Sequence, residues 1–499
     1  MLSRTITLFP RNGPGSITQI DCGGSTPRLG GVVDISAFPN LTNFACNNND
    51  ITNISGYSNN SNLITLSFVD NKLTESLPSL SGMTNLQDFR YNRNQISGSI
   101  PSLSGLTSLE VYHGHNNLHT NSIPSLTSLV NLKVFYCHLN DITGSIPSLD
   151  ALTNLEQFYC DSNILTSSIP SLSNNIKLSI ARFELNNLTG NIPSLNANTE
   201  LTYFSCNSQR GLVKLTGPIP SLTGLTKLQT FLCHENQLSG PIPSLNGLTA
   251  LRSFFCYDNQ LSGSLPSLTG LPNFLALHAS NNLLTGSIPS LTGATTLRDL
   301  YIHANQLSGS IPSLTGLTNL RNFYCHTNQL TGSIPSLDGL TGLRDFYCHT
   351  NQLTGSIPSL TGLTTLRNFQ CYTNNLSGSI PSLTGLTNLE YFYCHTNQLT
   401  GPIPSLNNNT KLNVLYCFNN ALTGFAGGSV SNTLGDFKAQ NNLLPASAVN
   451  AILAAFVAAN RTTETRILNL GGTGNAAPTG QGITDKATLI SRGWTVTTN

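Results

Sequence analysis

Charge is what this chain has least of. Only 9% of its 499 residues are charged, 23 Lys and Arg against 22 Asp and Glu, for a formal net charge of +1. A typical domain carries about 25%. So neutral a composition gives no footprint for nucleic acid or an anionic membrane surface, which need clustered Lys and Arg. Long apolar runs are missing too. The longest, Ala451 to Ala459, falls well short of the roughly 18 residues of a membrane span, so no membrane insertion is expected. The start, Met1-Leu2-Ser3-Arg4-Thr5-Ile6-Thr7-Leu8-Phe9-Pro10, has an Arg but lacks the continuous apolar stretch of a secretory signal. Asp and Glu recur in no fixed pair, and no P-loop, G-x-S-x-G or H-E-x-x-H occurs. The expectation is a protein that is not an enzyme and needs no cofactor.

What the chain does have is repetition. Between Leu330 and Gln398 nearly the same segment of about 23 residues is written three times: LTGSIPSLDGLTGLRDFYCHTNQ, LTGSIPSLTGLTTLRNFQCYTNN and LSGSIPSLTGLTNLEYFYCHTNQ. Such a unit buries its apolar face only against its neighbours, which predicts a solenoid. In the unit from Leu317 to Pro335 the fixed positions are Leu317, Leu320, Phe323, Cys325, Asn328, Leu330, Gly332, Ile334 and Pro335. Alternation places Phe323 and Cys325 on the inner face of a short strand and Tyr324 on the outer. Asn328 belongs at the turn after the strand, its amide bonding backbone groups left unpaired there. Gly332 permits a tight backbone path, and Pro335 stops a strand ladder. The ladder Asn reads Asn49, Asn71, Asn94, Asn116, Asn140 and onward to Asn442, with Gln209 in its place once. Near Gln209 the period is broken by inserted residues, Gln-Arg-Gly-Leu-Val-Lys, expected to form a loop.

The pattern L-x-x-L-x-x-F-x-C-x-x-N-x-L-x-G-x-I-P resembles the leucine-rich repeat, and its L-x-G-x-I-P portion resembles the plant-type subclass of receptor ectodomains and inhibitors. The unit is one residue shorter than the usual plant-type repeat. The resemblance implies an α/β-type solenoid dominated by short parallel β-strands, an arc with a mostly irregular convex side and a small α/β C-terminal cap. Its expected divisions are an N-terminal cap over residues 1–30, about 18 coils over 31–444, and a cap over 445–499. In that cap Val449, Ile452, Leu453, Phe456 and Val457 have helical spacing. A strand is expected at Arg466–Leu470, a helix opened by Thr484 and Asp485, and a last strand around Trp494–Thr497. This ending resembles tails of bacteriophage tail proteins and of repeat proteins on bacterial surfaces.

Two columns of reactive residue types follow from the register. Eleven of the twelve cysteines, from Cys46 onward, fall at the inward strand position, which other units fill with Phe68, Ala181, Ala279 or Ile302. That favours reduced thiols packed as small hydrophobes over disulfides or zinc, for which a straight line of thiols is the wrong shape. His138, His234, His303, His326, His349 and His395 fall two residues before the ladder Asn; Tyr136, Tyr159, Tyr301, Tyr324, Tyr347, Tyr393 and Tyr416 fall four before it. Both should face outward, interrupted by Tyr257 and Tyr372, while His113 is expected inside. Repeat duplication alone would copy such residues. Tyr and His also suit protein or sugar contacts, so the candidate binding stripe is Tyr301, His303, Tyr324, His326, Tyr347, His349, Tyr393, His395 and Tyr416. No metal site is expected.

An exposed-type surface without an export signal points to a phage virion component, assembled in the host cytoplasm, whose partners are other virion proteins or a host surface protein or glycan. The alternative is an extracellular or cell-surface adhesin or receptor-like protein. Self-association into a homo-oligomer fits either.

Overall fold

The computed structural model describes residues 14–459 and 466–499, so residues 1–13 and 460–465 lie outside the described residues. The chain divides into two compact units. Unit 1 runs to Leu251 and takes in Asp258–Gln260; unit 2 consists of Arg252–Tyr257 and Leu261–Asn499.

Both units are built from one device. Short strands stack in parallel, from Gln19–Asp21 to Thr230–Leu232 in unit 1 and from Ser253–Phe255 to Asp436–Lys438 in unit 2. In the strand Asn322–Tyr324 the middle residue is buried and its flanks are half-buried, as alternation of Phe and Cys requires. Register is exact across coils: Phe323 lies opposite Phe346 and Tyr324 opposite Tyr347. A second, sparser row of strands forms where the L-x-G segments meet, as in Ser308–Ser310 beside Gln329–Thr331. Gly332 sits there at φ 71, a backbone state that a Cβ would strain. The rest of each coil is irregular. Leu317, Leu320, Phe323, Cys325, Leu330 and Ile334 are at most 4% exposed; they line a dry interior that no single coil could close.

The ladder Asn closes each turn. Asn328 donates from Nδ2 to the carbonyls of Ile302 (3.0 Å), Cys325 (3.1 Å) and His326 (3.2 Å), and its Oδ1 accepts from the Leu307 amide at 2.9 Å. It thus ties each coil to the one before it. Gln209 does the same work through Phe183, Cys206 and Leu188. The residues after it, around Leu212 (98% exposed), make the expected loop.

Four readings of register and cap are corrected. The ladder residue after Asn94 is Asn117, not Asn116: Asn117 bonds the Tyr91 carbonyl and receives the Ile96 amide, while Asn116 holds the left-handed turn before it at φ 54. His113 therefore lies on the outer face, stacked on Tyr136 at 4.5 Å, and Gly114 takes the inward place. Phe183, not Ala181, stands in the cysteine column; Ala181 pairs with Phe158 in the phenylalanine column. The second cap helix begins at Gln481, not at Thr484, because Gly480 (φ 49) turns the chain and Asp485 is turned inward to accept from Gln481.

The cap of unit 2 otherwise follows expectation. Helix α1 (Ala446–Ala459) buries Val449, Ile452, Leu453 and Phe456; Val457 is half-buried. Phe456 packs edge-on between Phe437 and Trp494. Helix α2 (Gln481–Ser491) follows the strand Ile467–Asn469, and the strand Thr495–Thr497 ends the ladder. Asn475 extends the Asn ladder into the cap, bonding the Ala439 and Leu470 carbonyls.

Candidate functional site: stacked rings on the strand face

Inward and outward columns have opposite chemistry. The cysteines from Cys46 to Cys417 are buried and free. Burial holds their thiols protonated, pushing Cys417 up to about 12 and the column neighbours higher still. A protonated thiol neither attacks nor binds metal. Among the described residues no group of three or more His, Cys, Asp or Glu is arranged to hold a metal ion.

The outer face of unit 2 carries two parallel stacks of rings. In the first, Tyr301, Tyr324 and Tyr347 lie 4.5 and 4.3 Å apart between centroids, the latter pair only 8° from parallel. Phe255 and His278 lengthen it on one side. Gln370 breaks it, and Tyr393 and Tyr416 resume at 4.8 Å, closed by Lys438 over the last ring. In the second, His303, His326, His349, Tyr372, His395 and Phe418 run without a gap at 4.1–4.5 Å. Tyr372, expected as an interruption, is a full member of the stack. All nine candidate residues therefore stand in these two stacks.

Where a ring is sandwiched between two others, as Tyr324, His326, Tyr372 and His395 are, its faces are used up and only its edge is left to meet solvent. Strand spacing of about 4.8 Å enforces this: it is the distance at which offset aromatic pairs attract. The edges are uncharged. Burial, with His349 and His303 beside it, pulls the His326 pKa down to about 3, and burial likewise pulls His349 and His395 to about 4. Burial pushes the Tyr301, Tyr347 and Tyr393 hydroxyls up to about 12. Thr327, Thr350 and Thr396 meet the Nδ1 atoms of His326, His349 and His395 at 3.1 Å. Those threonines sit at φ 55, 54 and 56, where a β-branched residue is strained.

Unit 1 has a shorter version, with His113, Tyr136 and Tyr159 in one stack and His115 on His138 in the other. There the rings give way to an ionic cluster. Arg182 reaches Glu184 at 2.6 Å and Asp161 at 3.5 Å and lies over the Tyr159 ring. Asp161 is 4% exposed, and its Oδ1 has no hydrogen-bond partner. Nothing in the outward periodicity predicted this cluster.

Comparison with known proteins rests on solved structures, since neither a family description nor a curated protein matches the sequence. The Arabidopsis receptor kinase HAESA, solved with the peptide hormone IDA and the co-receptor SERK1, is similar over 84% of this chain and 77% of its own, at 26% identity and a TM-score of 0.69. The plant peptide hormone receptor RGFR1, solved with RGF2, is similar over 95% of this chain and 88% of its own, at 24% identity and a TM-score of 0.70. A leucine-rich-repeat protein of Leptospira interrogans covers 70% of this chain and 95% of its own, at 22% identity and a TM-score of 0.50. The fold is a leucine-rich-repeat solenoid. Its class is that of binding or structural repeat proteins. Among the described residues no helix is long and apolar enough to cross a membrane.

Proposed function

We propose that this is a receptor-like, non-enzymatic binding protein of the extracellular or cell-surface kind, which holds a peptide or protein partner against the ring edges of unit 2. The observation that supports it is the pair of neutral stacks, one continuous and the other broken once at Gln370, whose polar edges carry Tyr301, His303, Tyr324, His326, Tyr347, His349, Tyr393, His395 and Tyr416. Edges of this kind form hydrogen bonds to a polypeptide backbone and do not offer the open ring faces that sugars use. The likeness to receptors of peptide hormones, and a plant-type-like repeat, favour this reading over a virion role. A virion role, a host glycan and the phage-tail likeness of the C-terminal segment draw no support from the neighbours.

The test is a displayed random-peptide library selected against the full chain. Peptides so obtained should bind the quadruple variant Tyr324→Ser, His326→Ser, Tyr347→Ser, His349→Ser at least about tenfold more weakly. Equal binding to a variant that still melts cooperatively would end the proposal.

A further inference from the structure

One column of the strand face is neither aromatic nor neutral. The residue that enters each strand, three before the tyrosine position, is Arg298, Arg321, Arg344 and Arg367 in four successive coils of unit 2. The backbone fixes them as neighbours: the amides of Arg321, Arg344 and Arg367 each donate to the carbonyl of the preceding arginine at 2.8 Å. All four are exposed, and none makes an ion pair or a side-chain hydrogen bond among the described residues. Spaced at about one strand separation, ~4.8 Å, four guanidinium groups repel one another, which a soluble surface ordinarily avoids.

The solenoid does not require it. In unit 1 the same column reads Gln87, Glu110, Lys133 and Glu156, and Lys133 bonds Glu110 at 2.6 Å. The arginines of unit 2 are left without such partners even though acids stand beside them. Asp299 and Asp345, one residue along the strand, bond Asn322 and Asn368 instead.

We infer that this arginine column is a second interaction surface, and that its partner is an acidic segment of another polypeptide. Each guanidinium offers a planar fork matched to a carboxylate. The aspartates argue for a peptide over a uniform polyanion. A sulfated glycan or a nucleic acid has charge on nearly every unit and would also meet Asp299 and Asp345. A peptide sets its carboxylates against the arginines and its neutral residues against the aspartates. The near-zero net charge of the chain conceals the column, because acids elsewhere cancel it in the sum.

The experiment uses the full chain at physiological salt and a fluorescein-labelled peptide of glutamates spaced by Gly and Ser, with its Gln and Lys counterparts, heparin and an oligothymidylate as the other probes. The Glu peptide should bind, the Gln peptide should not, and Arg298→Gln, Arg321→Gln, Arg344→Gln, Arg367→Gln together should weaken the Glu peptide at least about tenfold. The pair Arg321→Glu, Arg367→Glu should transfer binding to the Lys peptide. Unchanged Glu-peptide affinity in the Gln variant overturns the inference, as does failure of the reversed pair to take the Lys peptide. Heparin or oligothymidylate binding more tightly than the Glu peptide, through the same arginines, overturns the choice of partner. The surface does not rest on the ring stacks: the serine variant of Tyr324, His326, Tyr347 and His349 should keep Glu-peptide affinity within about threefold, so the two readings fail separately.

Discussion

Unit 1 settles its polar groups internally, whereas unit 2 leaves them facing out. On the outer face of unit 1, Lys133 pairs with Glu110 and Arg182 with Asp161 and Glu184. Within its core, His119 joins Tyr91 through Nε2 at 3.0 Å and the Gly98 carbonyl through Nδ1 at 3.1 Å, and Tyr91 bonds Tyr112. Unit 2 keeps a core of Phe, Cys, Leu and Ile and carries unpaired arginines and ring edges on its strand face. Both are closed by the same Asn ladder. The difference teaches that fold and surface are separately adjustable here: inward columns set stability, and outward columns can be exchanged coil by coil.

The largest effect that could break this comparison lies in the core of unit 1. Tyr91 occupies the cysteine column and overfills it, so the next coil must have Gly114; a Cβ there would collide with the Tyr91 and Tyr112 hydroxyls. Gly114→Cys inserts the residue the column elsewhere prefers, yet it should destabilise the chain by about 3 kcal/mol, at the upper end for overpacking. The corresponding change in unit 2, Ala279→Cys, should cost less than about 1 kcal/mol. Urea denaturation measures both. Similar costs would mean that the tyrosine pair does not set unit 1 apart.

A smaller effect tests whether the ionic cluster of unit 1 is held at a cost. Burial, and secondarily Glu184, raises the Asp161 carboxyl to about 6 from its ordinary 3.8. The folded chain therefore favours its protonated form. Its contribution is most favourable below pH 3.8 and is lost as pH rises through about 6. Asp161→Asn should accordingly stabilise the chain at pH 8 by about 1–2 kcal/mol, and by nothing measurable below pH 4. Destabilisation at pH 8 would show that attraction to Arg182 outweighs desolvation.

How far these features could be read from residues alone depends on what each requires. The solenoid, the inward Phe and Cys positions and the Asn ladder were legible because the period repeats them and burial enforces them. Register failed where two candidates adjoined, at Asn116 and Asn117, and that single step carried His113 to the wrong face; Ala181 was misplaced separately, because a small residue at the phenylalanine position looks like a member of the cysteine column. The ring stacks were half legible. Their columns followed from spacing, but the use of ring faces by neighbouring coils depends on strand separation and side-chain rotation, which periodicity does not encode. Tyr372 looked like an interruption for that reason. The arginine column was present in plain letters, as the residue before Asn322 or Asp345, and was hidden by a composition that averages over both units.

The smallest effect concerns the ring stacks themselves. The half-buried imidazoles of His326 and His395 and the buried one of His349 have pKa values lowered to about 3, 4 and 4 respectively, first by burial and then by their positive or ionisable neighbours. A free imidazole titrates near 6.5, so an unfolded chain takes up protons first. The stability they lend is complete above pH 6.5 and is lost as pH falls toward 4. Solvent screening keeps each contribution to a few tenths of a kcal/mol. His326→Asn, His349→Asn and His395→Asn together should flatten the decline of the urea midpoint between pH 6.5 and 4.5 relative to the unaltered chain, with little change at pH 8. An equal decline in both would mean that the imidazoles are solvated enough to titrate normally, and the edge-on, neutral character assigned to the unit 2 face would then be lost along with its contrast to unit 1.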